Sequence, residues 1–225
     1  MLGDTGARSK SAILADLIAA HTSKSIYRAI VVGCGNGSDA QALAVRFSCD
    51  VEAIDIDNYF VPAGKPRVHF TNMDATALAF PDDSFDLAFS FHALEHIPNY
   101  MKAISEIRRV LKPGGTYCIG TPNRTRLVGY VGVPGFPLRK KIRSNLRDWG
   151  QRLRGRFRNE YGAHAGYSGH ELKEICSAIG PGSDISDDYY FGIYPNHVVK
   201  LAAIKLFGMQ WLAWPSVYIV GTKPV

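Results

Sequence analysis

Residues 30–40, IVVGCGNGSDA, place three glycines in five positions directly after an apolar run. A short apolar run of this kind marks a strand buried on both faces. Glycine at its end lets the backbone turn sharply or approach a ligand closely. Residues 38–47, SDAQALAVRF, space Ala and Leu as one helix face, with Ser38 or Asp39 near the start. Strand, glycine turn and helix form a parallel crossover unit, which commits the chain to a sheet covered on both faces. In such sheets ligands sit at the carboxyl ends of the strands, beside the point where strand order reverses. The glycine loop lies at such an end.

The pattern continues. DVEAIDID (50–57) reads as a second strand ending in carboxylates, VHFTNMDA as a third and FDLAFSF (85–91) as a fourth. YMKAISEIRRVL (100–111) carries apolar residues at 101, 104, 107, 110 and 111, a helical stripe that stops at Lys112-Pro113-Gly114-Gly115. GTYCIGTP is a fifth strand. The alternation predicts an α/β fold, a doubly wound and mostly parallel sheet of about seven strands. Asp55, Asp74 and Ser90-Phe91-His92 then share the edge with the glycine loop.

Beyond Thr121 the period is lost. A Gly/Pro-rich apolar loop (127–138) leads into a basic segment and a Gly-rich turn (161–169). We read 123–167 as a lid inserted after the fifth strand, within a single domain spanning 1–225. SGHELKEICSAIG resumes as a helix capped by Ser168, ISDDYYFGIY reads as a strand, HVVKLAAIKLF as a helix and SVYIVGTKP as the last strand. The apolar stretch LFGMQWLAWPSVYIVG is expected in the core, since Gly208 and Pro215 break any membrane-spanning helix.

At 225 residues, 46% hydrophobic and 20% charged, the chain can bury a sizeable core as one elaborated domain. Asp16 interrupts the apolar stretch 12–20, so the N-terminus reads as an amphipathic helix and not a secretory signal. Cys34, Cys49, Cys118 and Cys176 are scattered, which predicts a reduced, cytoplasmic protein without structural zinc. The net charge of +6 is concentrated: residues 139–158 hold nine Arg or Lys against Asp148 alone, a balance of +8 that leaves −2 elsewhere.

The loop spaces its glycines G-x-G-x-G, whereas a dinucleotide loop wants G-x-G-x-x-G, whose last position here is Ser38. Asp55, twenty-two residues past Gly33 at a strand end, is placed to accept hydrogen bonds from both hydroxyls of a ribose. The pattern fits a nucleoside without a demand for phosphate.

Four segments in order, VVGCGNG, AIDID, MDATALAFPDDSFDLAFSFHALEHI and EIRRVLKPGGTYCIGTPN, resemble the successive motifs of class I S-adenosylmethionine-dependent methyltransferases. The resemblance is strongest to the branch of small-molecule and quinone-biosynthesis enzymes, and it runs from about residue 30 to 123. It implies a Rossmann-like fold with S-adenosylmethionine as cofactor. Gly33, Cys34, Gly35 and Gly37 would let backbone approach the methionine part. Asp55 would hold the ribose with Ile56 on the adenine, Asp74 would accept the adenine amino group beside Met73 or Ala75, and Ser90 and Phe91 would close the other side. The family has an acidic residue two before the first loop glycine; this chain has Val31, leaving Asp39 to take part of that role.

Methyl transfer is a direct displacement that needs alignment and exclusion of water, with a general base only where the acceptor must lose a proton. His92, nearest the strand end, is the first candidate base, and Glu95-His96 resembles a pair found in quinone O-methyltransferases. Tyr161, His164 and Tyr167 are further candidates to line the pocket. Glu95 and His96 are adjacent and point in different directions, so no metal site is expected.

In the basic segment Ile142, Leu146, Trp149, Leu153 and Phe157 recur at helical spacing. Such a helix could pack on the domain, lie on an anionic membrane, or track nucleic-acid phosphates. The apolar loop before it favours a membrane or a lipid-like acceptor, and nucleic acid less. The sequence thus reads as a cytoplasmic methyltransferase acting on a small, apolar or membrane-associated acceptor, peripheral to the membrane through 139–158. An RNA methyltransferase, a nicotinamide-dependent oxidoreductase and a non-catalytic binding protein are the alternatives.

Overall fold

The computed structural model describes residues 9–61, 67–130, 137–161 and 165–225. Seven strands form one sheet: β1 (Arg28–Val32), β2 (Asp50–Asp55), β3 (Val68–Asn72), β4 (Phe85–Phe91), β5 (Leu111–Pro122), β6 (Gly182–Asp184) and β7 (Ser216–Thr222). Their order is β3-β2-β1-β4-β5-β7-β6, with β7 antiparallel to both its neighbours and the β1, β2, β3, β4 and β5 pairings all parallel. Strand order reverses between β1 and β4, which fixes where a ligand crevice can open.

Helices cover both faces. On one, α1 (Lys10–Ala20), α2 (Ser38–Phe47) and α6 (Ser186–Ile193) bury Ile18, Leu43, Tyr189 and Tyr190 against Val31, Leu87 and Tyr218. On the other, α3 (Tyr100–Val110) and α5 (Gly169–Ser177) bury Ile104, Ile107, Leu172 and Cys176 against Ile30, Ile119 and Ile219. Local chemistry sets the helix starts. The Ser9 hydroxyl accepts from Ala12 N at 3.1 Å, and Ser168 and Glu171 form a reciprocal capping box. α2 starts from Gly37 at φ +83°, where a Cβ would strike the Phe60 ring at 2.4 Å.

Three expectations fail. ISDDYYFGIY is not a strand: the strand is the preceding Gly182–Asp184, and Ser186–Ile193 is helix α6. Asp184 Oδ1 accepts from Ser186 N at 2.8 Å, and Asp187 and Asp188 complement the positive end of the helix, so polar start signals outweigh a short aromatic run that fits either period. The basic helix α4 ends at Leu153, because Gly155 turns left-handed at φ +66°. Phe157 leaves the stripe and is buried beneath the guanidinium of Arg152, 3.9 Å from its ring centroid. The stretch expected in the core divides. Leu206, at the end of α7 (Val198–Leu206), Phe207 and Trp211 of α8 (Gln210–Ala213) are exposed, while Trp214 and β7 are buried.

Among the described residues no helix is long and apolar enough to cross a membrane. All four cysteines are free and buried.

Candidate active site

A cleft of about 700 Å³ opens at the carboxyl ends of β1, β2 and β4. The glycine loop forms one wall and is tied to β2: Gly33 N and Cys34 N donate to Ile54 O at 2.9 and 3.0 Å, and Gly35 N donates to Asp55 Oδ2 at 2.8 Å. Asp55 Oδ1 accepts from Asp57 N at 3.0 Å, and the Asn72 amide donates to the carbonyls of Asp55 and Ile56, joining the exits of β2 and β3. The glycines serve different ends. A Cβ on Gly33 would lie 2.2 Å from Ala93 Cβ, so that glycine permits close packing of two loops. A Cβ on Gly35, at φ +49°, would meet nothing within 4 Å, so its open face is left for whatever enters the cleft.

Of the residues expected to hold a cofactor, Gly33, Cys34, Gly35, Asp55, Ile56, Met73, Asp74, Ala75 and Phe91 line the cleft. Gly37 and Ser90 stand off its walls: Gly37 caps α2, and Ser90 is buried within β4. Asp39 lines the cleft while Val31 lies in the core. Asn36, Asp57, Tyr59 and Thr76 also line it and were not singled out from the sequence; the doubled carboxylates of AIDID pointed to Asp57, but nothing pointed to Tyr59.

The lining carries four carboxylates, at 39, 55, 57 and 74, and among its described residues no Lys or Arg. Acceptors for hydroxyl and amino hydrogens are abundant, and a pyrophosphate would find no counter-charge. Ile56 and Met73 add apolar surface to the same lining. Donation from Thr76 lowers the Asp74 carboxyl, keeping it ionised, and Asp74 Oδ1 takes the Thr76 N–H at 2.8 Å. Burial raises Asp39, against a hydrogen bond from Ser11. Burial, then the charge of Asp55, pushes the Cys34 thiol up to about 12, so it is no nucleophile. Segment 73–82 is clamped from behind, with Arg109 donating to the carbonyls of Leu78 and Phe80 and to Glu106, which in turn accepts from Leu78 N. These residues could hold a cationic nucleoside such as S-adenosylmethionine.

The far end of the cleft is formed by Phe91, His92, Ala93 and the turn from His96 to Asn99. His92 adopts φ +54°, a left-handed conformation that histidine tolerates better than most side chains but that still stores strain. Its Nε2 lies 3.0 Å from Ser216 Oγ, and its N–H donates to Gly120 O. Glu95 does not line the cleft. Its side chain is fully buried behind it, and neither carboxylate oxygen has a hydrogen-bond partner. The nearest charge partner is His96 Nε2 at 3.8 Å, on an imidazole that is half exposed to the cleft. Burial pushes the Glu95 carboxyl up to about 7, with smaller opposing pulls from its own backbone N–H and from Arg126. Tyr167 lies nearby, its ring tilted against that of Tyr100 with centroids 5.4 Å apart, and burial raises its hydroxyl to about 12. Tyr161 contributes backbone to a short turn and His164 lies outside the described residues. No described residue of 123–167 reaches the cleft itself. Among the described residues no group of three metal-ligating side chains converges.

The comparisons with known proteins agree with this architecture. A family described as a methyltransferase domain matches residues 30–119. The chain is 32% identical over 102 residues to a 27-O-demethylrifamycin SV methyltransferase of Amycolatopsis mediterranei, covering 41% of this chain and 38% of that one. It is 30% identical over 111 residues to the demethylmenaquinone methyltransferase of Lysinibacillus sphaericus, covering 46% and 47%. The chain therefore spans less than half the length of these relatives. Among solved structures, phosphoethanolamine N-methyltransferase 2 of Haemonchus contortus, in complex with S-adenosyl-L-methionine, superposes with a TM-score of 0.57 at 20% identity, covering 95% of this chain and 52% of that one. That likeness concerns the fold alone. The match to a methyltransferase domain covers residues 30–119, the part of the chain in which strand order reverses beside the glycine loop.

Proposed function

We propose that the protein transfers a methyl group from S-adenosylmethionine to a small, apolar or membrane-associated acceptor. The observation that carries this reading is the cleft itself, with four carboxylates, an open glycine face and no described Lys or Arg, ending at two histidines. The cofactor, when bound, supplies a methyl carbon made electrophilic by its sulfonium.

The chain's residues do the rest. Asp55 would hold the ribose hydroxyls while bracing the glycine loop through Gly35 N. Asp74, kept ionised by Thr76, would accept from the base, with Ile56 and Met73 supplying apolar surface beside it. Phe91 and Ala93 shut water out at the reacting end. His92 takes the proton of a hydroxyl or amine acceptor as the new bond forms. His96, with the buried Glu95 behind it, is the second proton acceptor and orients the acceptor. The names of the two curated relatives, for demethylrifamycin and demethylmenaquinone, support a small molecule over a polymer. Buried thiols raised by burial favour a reducing, cytoplasmic setting.

Titration calorimetry with S-adenosylmethionine, S-adenosylhomocysteine and NAD tests the cofactor; labelled methyl transfer into a lipid and small-molecule extract, run beside RNA, tests the acceptor. Binding of the first two ligands and label in the organic phase is expected. Binding of NAD alone would overturn the reading, label in RNA would move it to the nucleic-acid alternative, and binding without transfer would make this a cofactor-fold binding protein.

A further inference from the structure

We infer that α4 (Leu138–Leu153) docks the protein on an anionic bilayer surface. Helix α4 is amphipathic, but it is mounted the wrong way round for a helix of a globular core. Ile142, Leu146, Trp149 and Leu153, its apolar stripe, are exposed by 51, 58, 43 and 91%, and the one buried residue of the helix is Asp148. Surface helices ordinarily turn such a stripe to the core.

The helix is held by its polar side instead. The Asn145 amide exchanges hydrogen bonds with both backbone groups of Gly129, at 2.7 and 3.1 Å. Asp148 accepts from the Tyr130 hydroxyl at 3.0 Å and lies 3.7 Å from Arg126, with both charges buried. Trp149 Nε1 donates to Leu127 O at 2.7 Å, and Arg152 donates to Arg126 O at 2.8 Å. These bonds consume the only acidic residue of the segment and fix the helix with its apolar stripe outward.

Ile142, Leu146 and Trp149 of the stripe, with Val128 and Leu138, line an apolar groove of about 390 Å³. Around it Arg139, Lys140, Arg143, Arg147 and Arg154 are exposed. A bilayer with anionic headgroups satisfies both halves of this surface, because the stripe enters the interface while the cations meet phosphates. Nucleic acid would satisfy only the cations and leave Leu146 and Leu153 in water. The same strand exit carries a second exposed apolar corner: Leu127 N donates to Leu212 O at 2.8 Å, and the Asn123 amide donates to the carbonyl of Trp211, whose indole is exposed. Docking stands independently of the methyl-transfer reading, and its test reads adsorption and not turnover.

The experiment is co-sedimentation with vesicles of phosphatidylcholine alone and of phosphatidylcholine mixed with phosphatidylglycerol, at low and physiological salt. The parent protein should bind the mixed vesicles, and binding should fall steeply as salt rises. Leu146→Glu with Leu153→Glu, at exposed positions that make no hydrogen bond through their side chains, should weaken binding ten-fold or more. Arg139→Glu with Arg143→Glu should cost about five-fold or more for each cation removed. Parent protein that stays in the supernatant at low salt overturns the inference, independently of any variant. So does undiminished binding of the stripe variant with unchanged circular dichroism, since that is adsorption by charge alone. Tighter binding to RNA than to vesicles, unaffected by the stripe variant, would assign the surface to nucleic acid instead.

Discussion

Replacing Glu95 by Gln should stabilise the protein, and by an amount that depends on pH. The side chain is fully buried, both oxygens lack hydrogen-bond partners, and burial lifts the carboxyl from 4.5 to about 7. A carboxyl whose folded pKa is raised binds its proton more tightly in the folded chain than in the unfolded one. Folding therefore loses free energy as pH climbs from 4.5 towards 7, and the loss is complete above 7. At 1.36 kcal/mol per pH unit the interval corresponds to about 3 kcal/mol at most. Gln has nearly the same shape and does not titrate. The stability gap between Glu95→Gln and the parent should therefore be small near pH 4.5 and widen by up to about 3 kcal/mol by pH 8. Any constant cost of burying an amide moves the whole gap without changing its slope. Urea denaturation followed by far-ultraviolet circular dichroism at several pH values reads it directly. A gap that stays constant from pH 5 to 8 would refute the claim that Glu95 is buried without compensation.

Three further outcomes follow from the cleft. Asp55→Ala removes the acceptor of Gly35 N as well as the ribose contact, so affinity for S-adenosylhomocysteine by calorimetry should fall ten-fold or more, while Asp55→Asn, which keeps an amide oxygen, should lose less. Gly35→Val meets open space in the protein itself and costs the fold only the roughly 1–2 kcal/mol of its left-handed backbone, yet it should abolish cofactor binding; unchanged binding would place the ligand elsewhere. Because His92 sits at φ +54°, His92→Gly should be about 1 kcal/mol more stable than His92→Ala in thermal melts, and both should lower turnover by roughly 10²–10⁴ if the imidazole takes the acceptor's proton.

The half of the chain that forms the cleft was legible because its chemistry is written in consecutive residues. Glycine spacing, a carboxylate at a strand end and the Asp74 turn are local patterns, and each determines its own surroundings through backbone hydrogen bonds such as Gly35 N to Asp55. What escaped depends on contacts remote in sequence. Tyr59 enters the cleft from a loop without periodicity. The bond between His92 and Ser216 spans 124 positions, and nothing near Ser216 announces it. The burial of Glu95 depends on which side of the 3₁₀ turn Leu94–His96 faces inward, which three residues cannot specify. The helix at 186–193 was lost for another reason: Tyr189, Tyr190 and Phe191 fit a strand or a helix equally well, and only the caps decide.

The two ends of the site obey different physical rules, and the difference bears on which end sets specificity. At the cofactor end nearly every polar group is satisfied by backbone: Asp55 by two N–H groups, Asp74 by Thr76, the loop by Ile54. Such a surface is preorganised, and it fits one ligand class with little adjustment. At the other end the chain holds a strained histidine with a buried carboxylate that lacks a hydrogen bond behind the cleft wall, and outside the cleft a buried Arg126–Asp148 pair ties the segment after β5 to α4. Each feature costs stability and persists only because the surrounding packing enforces it. Arg126 links the two devices, since it faces Asp148 and also pulls on the Glu95 carboxyl. A displacement of α4 that loosened Arg126 would leave Glu95 with less opposing charge and a stronger hold on its proton, which in turn would alter how His96 faces the acceptor. If α4 docks as inferred, surface binding and proton handling at the cleft would share one guanidinium. Arg126→Met should therefore raise the Glu95 pKa further, read as a wider pH-dependent stability gap between Arg126→Met and its Glu95→Gln double variant than between the parent and Glu95→Gln. An unchanged gap would show that α4 and the cleft act independently.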